Sequence, residues 1–275
     1  MATTSSAPQV GPLLREWRQR RRMTQLELAI DAGTSARHLS FVETGRSKPG
    51  RDMLLRLGER LDIPFRERNR LLLAAGHAPA FPEHPFGAPE LAPVRAALER
   101  ILKSHDPYPA VVFDRHWNLV SANAAIQPLI ATIDPALLNP PVNVLRVGMA
   151  LMPQIINAHE VMTYFRDRIQ RQLATTADNQ LAELLAELDD HLSREERGGA
   201  TESAFAQNLG PVRVWAPDGG EWSFFGMFGT IDMPFEVTIS ELAMELLFPA
   251  DRRTADAFDA LARCRQAELR GSGTA

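Results

Sequence analysis

The sequence predicts a multidomain chain, an all-α domain of five helices followed by an α+β domain with an antiparallel sheet. Three observations carry this expectation. Residues 11–75 hold apolar residues at helical spacing, punctuated by turn residues. Prolines at positions 79, 82, 85 and 89 then forbid a continuous helix. Beyond them, short β-branched and aromatic runs bounded by turn residues alternate with long amphipathic helices, as in a layered α+β domain. A chain of 275 residues is long enough for both cores.

The first ten residues are polar and are expected to be disordered. Gly11-Pro12 starts the first helix, because proline at the first helical position gives up no needed N–H. Leu14 and Trp17 share one of its faces. From Thr24 to Gly45 the spacing is that of a helix-turn-helix. Thr24 caps a helix with Glu27 as its capping-box partner. Ala29 stands where two helices must cross closely, and Gly33 where the backbone must turn left-handed. Ser35 caps the second helix, and Leu39 and Val42 seat it on the first. A basic loop, Arg46-Ser47-Lys48-Pro49-Gly50-Arg51, leads to a fourth helix carrying Met53, Leu54, Leu57 and Leu61. Ile63-Pro64 breaks it, and Phe65 to Ala75 forms a fifth with Leu71, Leu72 and Leu73. The predicted domain spans 11–76.

Charge separates along the chain. Up to residue 75 there are 14 Arg and Lys against 8 Asp and Glu, a net of +6; the remainder has 16 against 26, a net of −10, consistent with −4 overall. A basic helical module with a helix-turn-helix points to double-stranded DNA, whose phosphates supply a salt-sensitive affinity. About half of Arg15, Arg18, Arg20, Arg21 and Arg22 are expected simply to solvate their helix. The outer face at the start of the second motif helix, Ala36, Arg37, Ser40 and Phe41, reaches the major-groove floor. Arg37 has the fork that fits guanine O6 and N7. Phe41 either presses on a thymine methyl or packs against the next helix, and His38 either meets a phosphate or packs. Thr44, Arg46, Lys48 and Arg51 are predicted phosphate contacts.

On Thr24-Gln25, Leu28-Ala29, Ala32-Gly33, Ser35, Leu39-Ser40, Val42-Glu43 and Gly45, this module resembles the phage-repressor (Xre/Cro) helix-turn-helix family. The resemblance implies a lambda-repressor-like fold, a phosphate contact for Gln25 and an internal ion pair between Arg18 and Glu43. Family members often carry glutamine where this chain has Ala36, so one adenine reader is missing.

Residues 77–106 read as a proline-rich linker and a connecting helix, Glu90 to Lys103. The second domain, 107–270, begins with predicted strands at Pro109–Phe113 and Trp117–Val120, after which Asn123 starts a helix. Helices follow at Ala158–Leu173 and Asn179–Leu192. Val212–Trp215 and Glu221–Ile231 form a hairpin around Ala216-Pro217-Asp218-Gly219-Gly220. Phe235–Ile239 is predicted as the last strand. The whole chain resembles the MmyB-like regulators, on the run Arg37 to Gly45, Glu67-Arg68-Asn69 before Leu71 to Gly76, Ala122-Asn123-Ala124, and Phe248-Pro249-Ala250-Asp251. The resemblance implies a PAS-like C-terminal ligand-binding domain.

Trp222, Phe224, Phe225, Met227 and Phe228 occupy both faces of one strand, which predicts cover on both. Phe113, Trp117, Met149, Leu151, Met152 and Phe165 add to an apolar interior. Such residues form either a plain core or the wall of a pocket for a fatty acid or other apolar small molecule. The candidate pocket residues are Phe113, Trp117, Met149, Met152, Phe165, Trp222, Phe224 and Phe228. Arg146 and Arg166 are either carboxylate anchors or surface residues.

No catalytic residues are assigned. The histidines lack metal-ligand spacing, Cys264 is the only cysteine, and no phosphate loop or nucleophile elbow occurs, so neither an enzyme, a metal site nor a bound cofactor is expected. No apolar run is long enough to span a membrane, and the expected location is the cytoplasm. A single helix-turn-helix reads few base pairs, so a homodimer is expected. Leu181, Leu184, Leu185, Leu188 and Leu192 form either its seam or a face packed on the sheet. The sequence thus reads as a DNA-binding transcriptional regulator controlled by a small apolar ligand; the alternative is a ligand-free dimerisation or partner-binding module, as in an antitoxin-like regulator.

Overall fold

The computed structural model describes residues 9–176, 178–196, 210–231 and 236–272. The chain divides into two compact units. The first holds the described residues up to His84 with 172–176 and 236–238, and the second holds the rest.

Five helices form the first unit: α1 (Val10–Arg20), α2 (Gln25–Asp31), α3 (Ala36–Glu43), α4 (Arg51–Arg60) and α5 (Phe65–Ala74). Each start has a local cause. The Thr24 hydroxyl accepts from Glu27 N at 3.2 Å and the Glu27 carboxylate accepts from Thr24 N at 2.7 Å, the reciprocal capping box. Ser35 Oγ accepts from His38 N at 3.1 Å. Gly33 turns the chain between α2 and α3 at φ +63°, where a side chain would be strained. Leu14, Leu28, Leu39, Val42, Leu57, Leu61 and Leu71 are fully buried together. Burying each such side chain contributes roughly 1.5–3 kcal/mol.

Gly11 has a role beyond starting a helix. A Cβ on it would lie 2.6 Å from the carbonyl oxygens of both Val42 and Glu43. Only a glycine lets α1 approach the end of α3 this closely. The proline-rich segment is anchored rather than free over its first part. Phe81 stacks on Phe65 at 4.4 Å. The Asn69 amide donates to Phe81 O at 2.8 Å and accepts from the Ala80 and Phe81 amides.

After α5 the chain continues through α6 (Ala92–Ser104), β1 (Ala110–Phe113), β2 (Leu119–Ala122), α7 (Gln127–Ile130), α8 (Val144–Leu151), α9 (Ala158–Thr176) and α10 (Asn179–Glu196). Then come β3 (Val212–Trp215), β4 (Glu221–Thr230), α11 (Val237–Ser240), β5 (Ala243–Pro249) and α12 (Arg252–Ser272). The sheet has the order β2-β1-β5-β4-β3, antiparallel throughout. The predicted hairpin of β3 and β4 forms, with Asp218 Oδ1 accepting from Gly220 N at 2.9 Å.

Several sequence expectations need correction. The predicted strand at Phe235–Ile239 is not one: Val237–Ser240 is a helical turn, and Phe235 lies outside the described residues. The central strand is instead β5, which pairs with both β1 and β4. The second strand begins at Leu119 rather than Trp117. Trp117 closes the preceding turn at φ +66°, held by Asp114, whose Oδ1 accepts from His116 N at 2.8 Å and Asn118 N at 2.9 Å. Such a backbone costs about 1–2 kcal/mol for a side chain with a Cβ. Nor is β4 covered on both faces among the described residues: Trp222 and Phe224 are buried, but Phe225 and Met227 are 47% and 57% exposed. Asn123 does stand at the start of a short helix, as expected, and its side chain tethers neighbouring segments, accepting from Ala110 N at 3.0 Å and donating to Tyr108 O at 2.7 Å. In α10, Leu181, Leu184, Leu188 and Leu192 are buried within the chain.

Candidate DNA interface and ligand cavity

On α3, Leu39 and Val42 point into the core, so Arg37, Ser40, Phe41 and Thr44, at helical spacing on the other side, form the outer face. Arg37 and Thr44 are exposed, and Ser40 and Phe41 are half-buried. The Arg37 guanidinium lies 5.4 Å from the Phe41 ring centroid, a cation–π contact that holds both side chains on this face. Ala36 is half-buried and touches the core, so its methyl is partly spent on packing. Thr44 Oγ1 donates to Ser40 O at 2.7 Å. Arg46, Lys48 and Arg51 are all exposed, on the loop after α3 and the first residue of α4.

Behind this face lies a buried ion pair. Arg18 Nε and Nη2 donate to the Glu43 carboxylate at 2.6 and 2.8 Å, a bidentate pair. Gln25 Nε2 donates to the same carboxylate at 2.8 Å. Burial pushes the Glu43 carboxyl up, but hydrogen bonds from Arg18 and Gln25 and the charges of Arg18 and Arg15 outweigh it, and the carboxyl is held below its ordinary range. One amide hydrogen of Gln25 is thus committed inside the protein, while Ser35 is committed to its cap.

The second unit holds a partly open cavity of about 220 Å³ against one face of the sheet. Trp117, Phe165, Trp222 and Phe224 line it, as do Leu119, Val144, Leu145, Val161, Met162 and Leu247. Four of the eight predicted pocket residues therefore meet at the wall. The others sit behind it. Phe113 stacks on Trp117 at 4.7 Å, and Phe228 lies 6.0 Å from Phe165. Met149 and Met152 are buried without lining the space. Of the two alternatives for Arg146 and Arg166, carboxylate anchor or surface residue, the structure fits the second: neither lines the cavity, and both are paired with acidic side chains outside it. Arg146 forks onto Glu187 at 2.8 and 2.7 Å, and Arg166 Nε meets Asp189 at 2.5 Å.

One lining residue went unnoticed in the sequence. Glu245, in the middle of β5, brings the only charged side chain to the cavity wall among the described residues. It is half-buried, and it lies at the cavity wall among apolar side chains. Burial pushes its carboxyl up to about 7, against the opposing pull of the Arg168 guanidinium. Arg168 itself lies over the Phe228 ring at 4.2 Å and 5.8 Å from the Trp117 ring.

Residues 94–261, more than half of the chain, match the family described as MmyB-like transcription regulator ligand binding domain. The chain belongs to the MmyB-like transcription regulators. Residues 9–71 of this regulator match the family described as helix-turn-helix domain, over α1 to α5. The regulator is also similar to an uncharacterized HTH-type transcriptional regulator, RghRB, of Bacillus subtilis (strain 168), at 38% identity over 74 residues. That similarity covers 26% of this chain and 51% of the relative, so the regulator spans about half the length of the curated relative it matches. The N-terminal unit thus carries a helix-turn-helix domain, and the segment that follows carries the family's ligand-binding domain. Among the described residues no helix is long and apolar enough to cross a membrane.

Proposed function

We propose that this regulator binds its operator as a homodimer in the cytoplasm and is controlled by a small apolar molecule held in the second unit. The observation that carries the reading is the cavity of about 220 Å³, walled by aromatic and aliphatic side chains within the segment that matches a ligand-binding family. It is smaller than the roughly 300–1,000 Å³ common for drug-sized ligands, which favours a short-chain compound. Trp117, Phe165, Trp222 and Phe224 contact the ligand directly; Phe113, Met149, Met152 and Phe228 support that wall.

On DNA, α3 enters the major groove. Arg37 reads a guanine, Phe41 presses on a thymine methyl, and Ala36 and Ser40 allow close approach to the bases. Gln25, Ser35, Thr44, Arg46, Lys48 and Arg51 meet phosphates and set the register. Two half-sites about 34 Å apart, or a multiple of that, suit a two-fold dimer. The ligand changes DNA affinity by favouring one of two arrangements of the dimer, and it does so only as far as its affinities for the two differ.

The exposed apolar side chains of Phe225 and Met227 on β4 favour a second reading, in which the second unit is a dimerisation or partner-binding module without a ligand. Denaturing the full-length protein and identifying released molecules by mass spectrometry separates the two, with a truncation ending at Gly76 as control. One stoichiometric apolar compound from the full-length protein alone is expected. Release of nothing, with no uptake of added apolar compounds, would leave the module reading standing.

A further inference from the structure

We infer that Glu245 is the polar anchor of the cavity, and that the cavity prefers an apolar molecule whose head group donates a hydrogen bond, an alcohol or an amine, over one ending in a carboxylate. The inference rests on the reading of the cavity as a ligand site and specifies its chemistry. Three features of the structure lead to it.

The first is position. Glu245 lies on the central strand, paired with Val111 of β1 on one side and Phe228 of β4 on the other. Its neighbour on the same face, Leu247, lines the cavity, whereas Met244 and Leu246 pack on the opposite face against the cluster containing Leu98 and Leu102 of α6. A head group entering an otherwise apolar chamber therefore meets Glu245.

The second is its lack of a donor. Among the described residues no hydrogen bond reaches the Glu245 carboxylate, and Arg168, which pulls on it electrostatically, does not line the cavity. The Arg168 guanidinium is spent against the rings of Phe228 and Trp117. Gln154, the one side-chain amide on the wall among the described residues, donates to Thr132. An ionised carboxylate is acceptor-only, and one left without a donor in a low-dielectric site is costly. A ligand hydroxyl or ammonium supplies what is missing. A ligand carboxylate would instead place a like charge beside Glu245 or force the two to share a proton.

The third is room. Diagonal to Glu245 on β4 stands Gly226, paired with Leu247, where a Cβ would lie 3.0 Å from Glu245 Oε1. A larger residue there would make the carboxylate give by a few tenths of an ångström, so the glycine leaves room on that side of Glu245. The elevated carboxyl pKa is the expected consequence of a buried acid that has no donor.

The test is calorimetric titration of the stripped full-length protein at pH 8 with octan-1-ol, octylamine and octanoate. Hydrogen bonds to an ionised group are strong enough for a preference of about ten-fold or more. The alcohol and the amine are expected to bind at least about ten-fold more tightly than octanoate. Tighter binding of the amine than of the alcohol would identify a cationic ligand, and equal binding a neutral donor. Glu245→Gln removes the charge at nearly constant shape; it should weaken the amine about ten-fold and bring octanoate level with it. Gly226→Ala pushes a methyl against the carboxylate and should weaken alcohol and amine while sparing octanoate. Octanoate binding as tightly as the others, or Glu245→Gln leaving all three affinities unchanged, overturns the assignment but leaves the cavity a ligand site. Failure of all three compounds to bind either protein overturns the ligand site itself.

Discussion

Replacing Glu245 with glutamine should change how the stability of this regulator depends on pH, and the size of the change follows from the structure. In the folded protein the Glu245 carboxyl is pushed from 4.5 to about 7 by burial, against Arg168. Below pH 4.5 the carboxyl is protonated in both folded and unfolded chains, and it contributes no pH dependence. As pH rises from 4.5, the unfolded chain loses this proton while the folded protein keeps it until about pH 7. The folded state binds more protons through that window, so stability falls as pH rises and levels off above it. At about 1.4 kcal/mol per pH unit the full loss is about 3 kcal/mol. Glutamine has no such proton to lose. Urea unfolding of stripped wild-type and Glu245→Gln protein, compared from pH 5 to pH 8, should show the variant gaining on the wild type by up to about 3 kcal/mol. The carboxyls held below their usual range, among them Glu43, Asp178 and Glu187, lose their contributions only at more acid pH and cancel in the comparison. Parallel stability profiles for the two proteins between pH 5 and pH 8 would refute the reasoning.

Other expectations concern the DNA-binding unit. Arg37→Ala should lose about 1–3 kcal/mol of preference at one base pair, with affinity for unrelated DNA largely kept; equal weakening on all sequences in a binding-site selection would show that Arg37 only meets phosphate. Arg18→Ala leaves the Glu43 carboxylate buried without its bidentate partner, and thermal or urea unfolding at pH 7 should show a loss of about 3–5 kcal/mol. Since the Glu43 carboxyl is depressed, that loss should shrink as pH falls below 4.5 and the wild-type pair is protonated away. Gly11→Ala places a methyl 2.6 Å from two carbonyl oxygens and should cost about 1–3 kcal/mol of unfolding free energy; an unchanged urea midpoint would mean α1 shifts without penalty.

What was legible in the sequence was local. The capping box of Thr24 and Glu27, the Ser35 cap and the turn at Gly33 each involve residues a few positions apart, and all stand where the spacing placed them. Contacts between distant segments were not legible. The partners of Arg146 and Arg166 lie 41 and 23 residues away, so nothing near either arginine marked it as already paired. The close approach at Gly11 is equally non-local. β5 was hidden for another reason. Ala243 to Pro249 is an almost continuous apolar run because both its faces are used, and such a run carries no alternation to separate strand from helix. The β-branched residues of Val237 to Ile239 looked more strand-like and drew the assignment away. With the strand went Glu245, whose meaning lies in standing alone among apolar neighbours on the central strand.

The central claim is that occupancy of the cavity controls operator binding. It is tested most directly by fluorescence anisotropy of the full-length protein on a selected operator, stripped of small molecules and then reloaded with the compound it released. A change in Kd of about 5-fold or more on reloading, within the usual range of allosteric coupling, is the predicted result. The same Kd for stripped and reloaded protein would contradict the account.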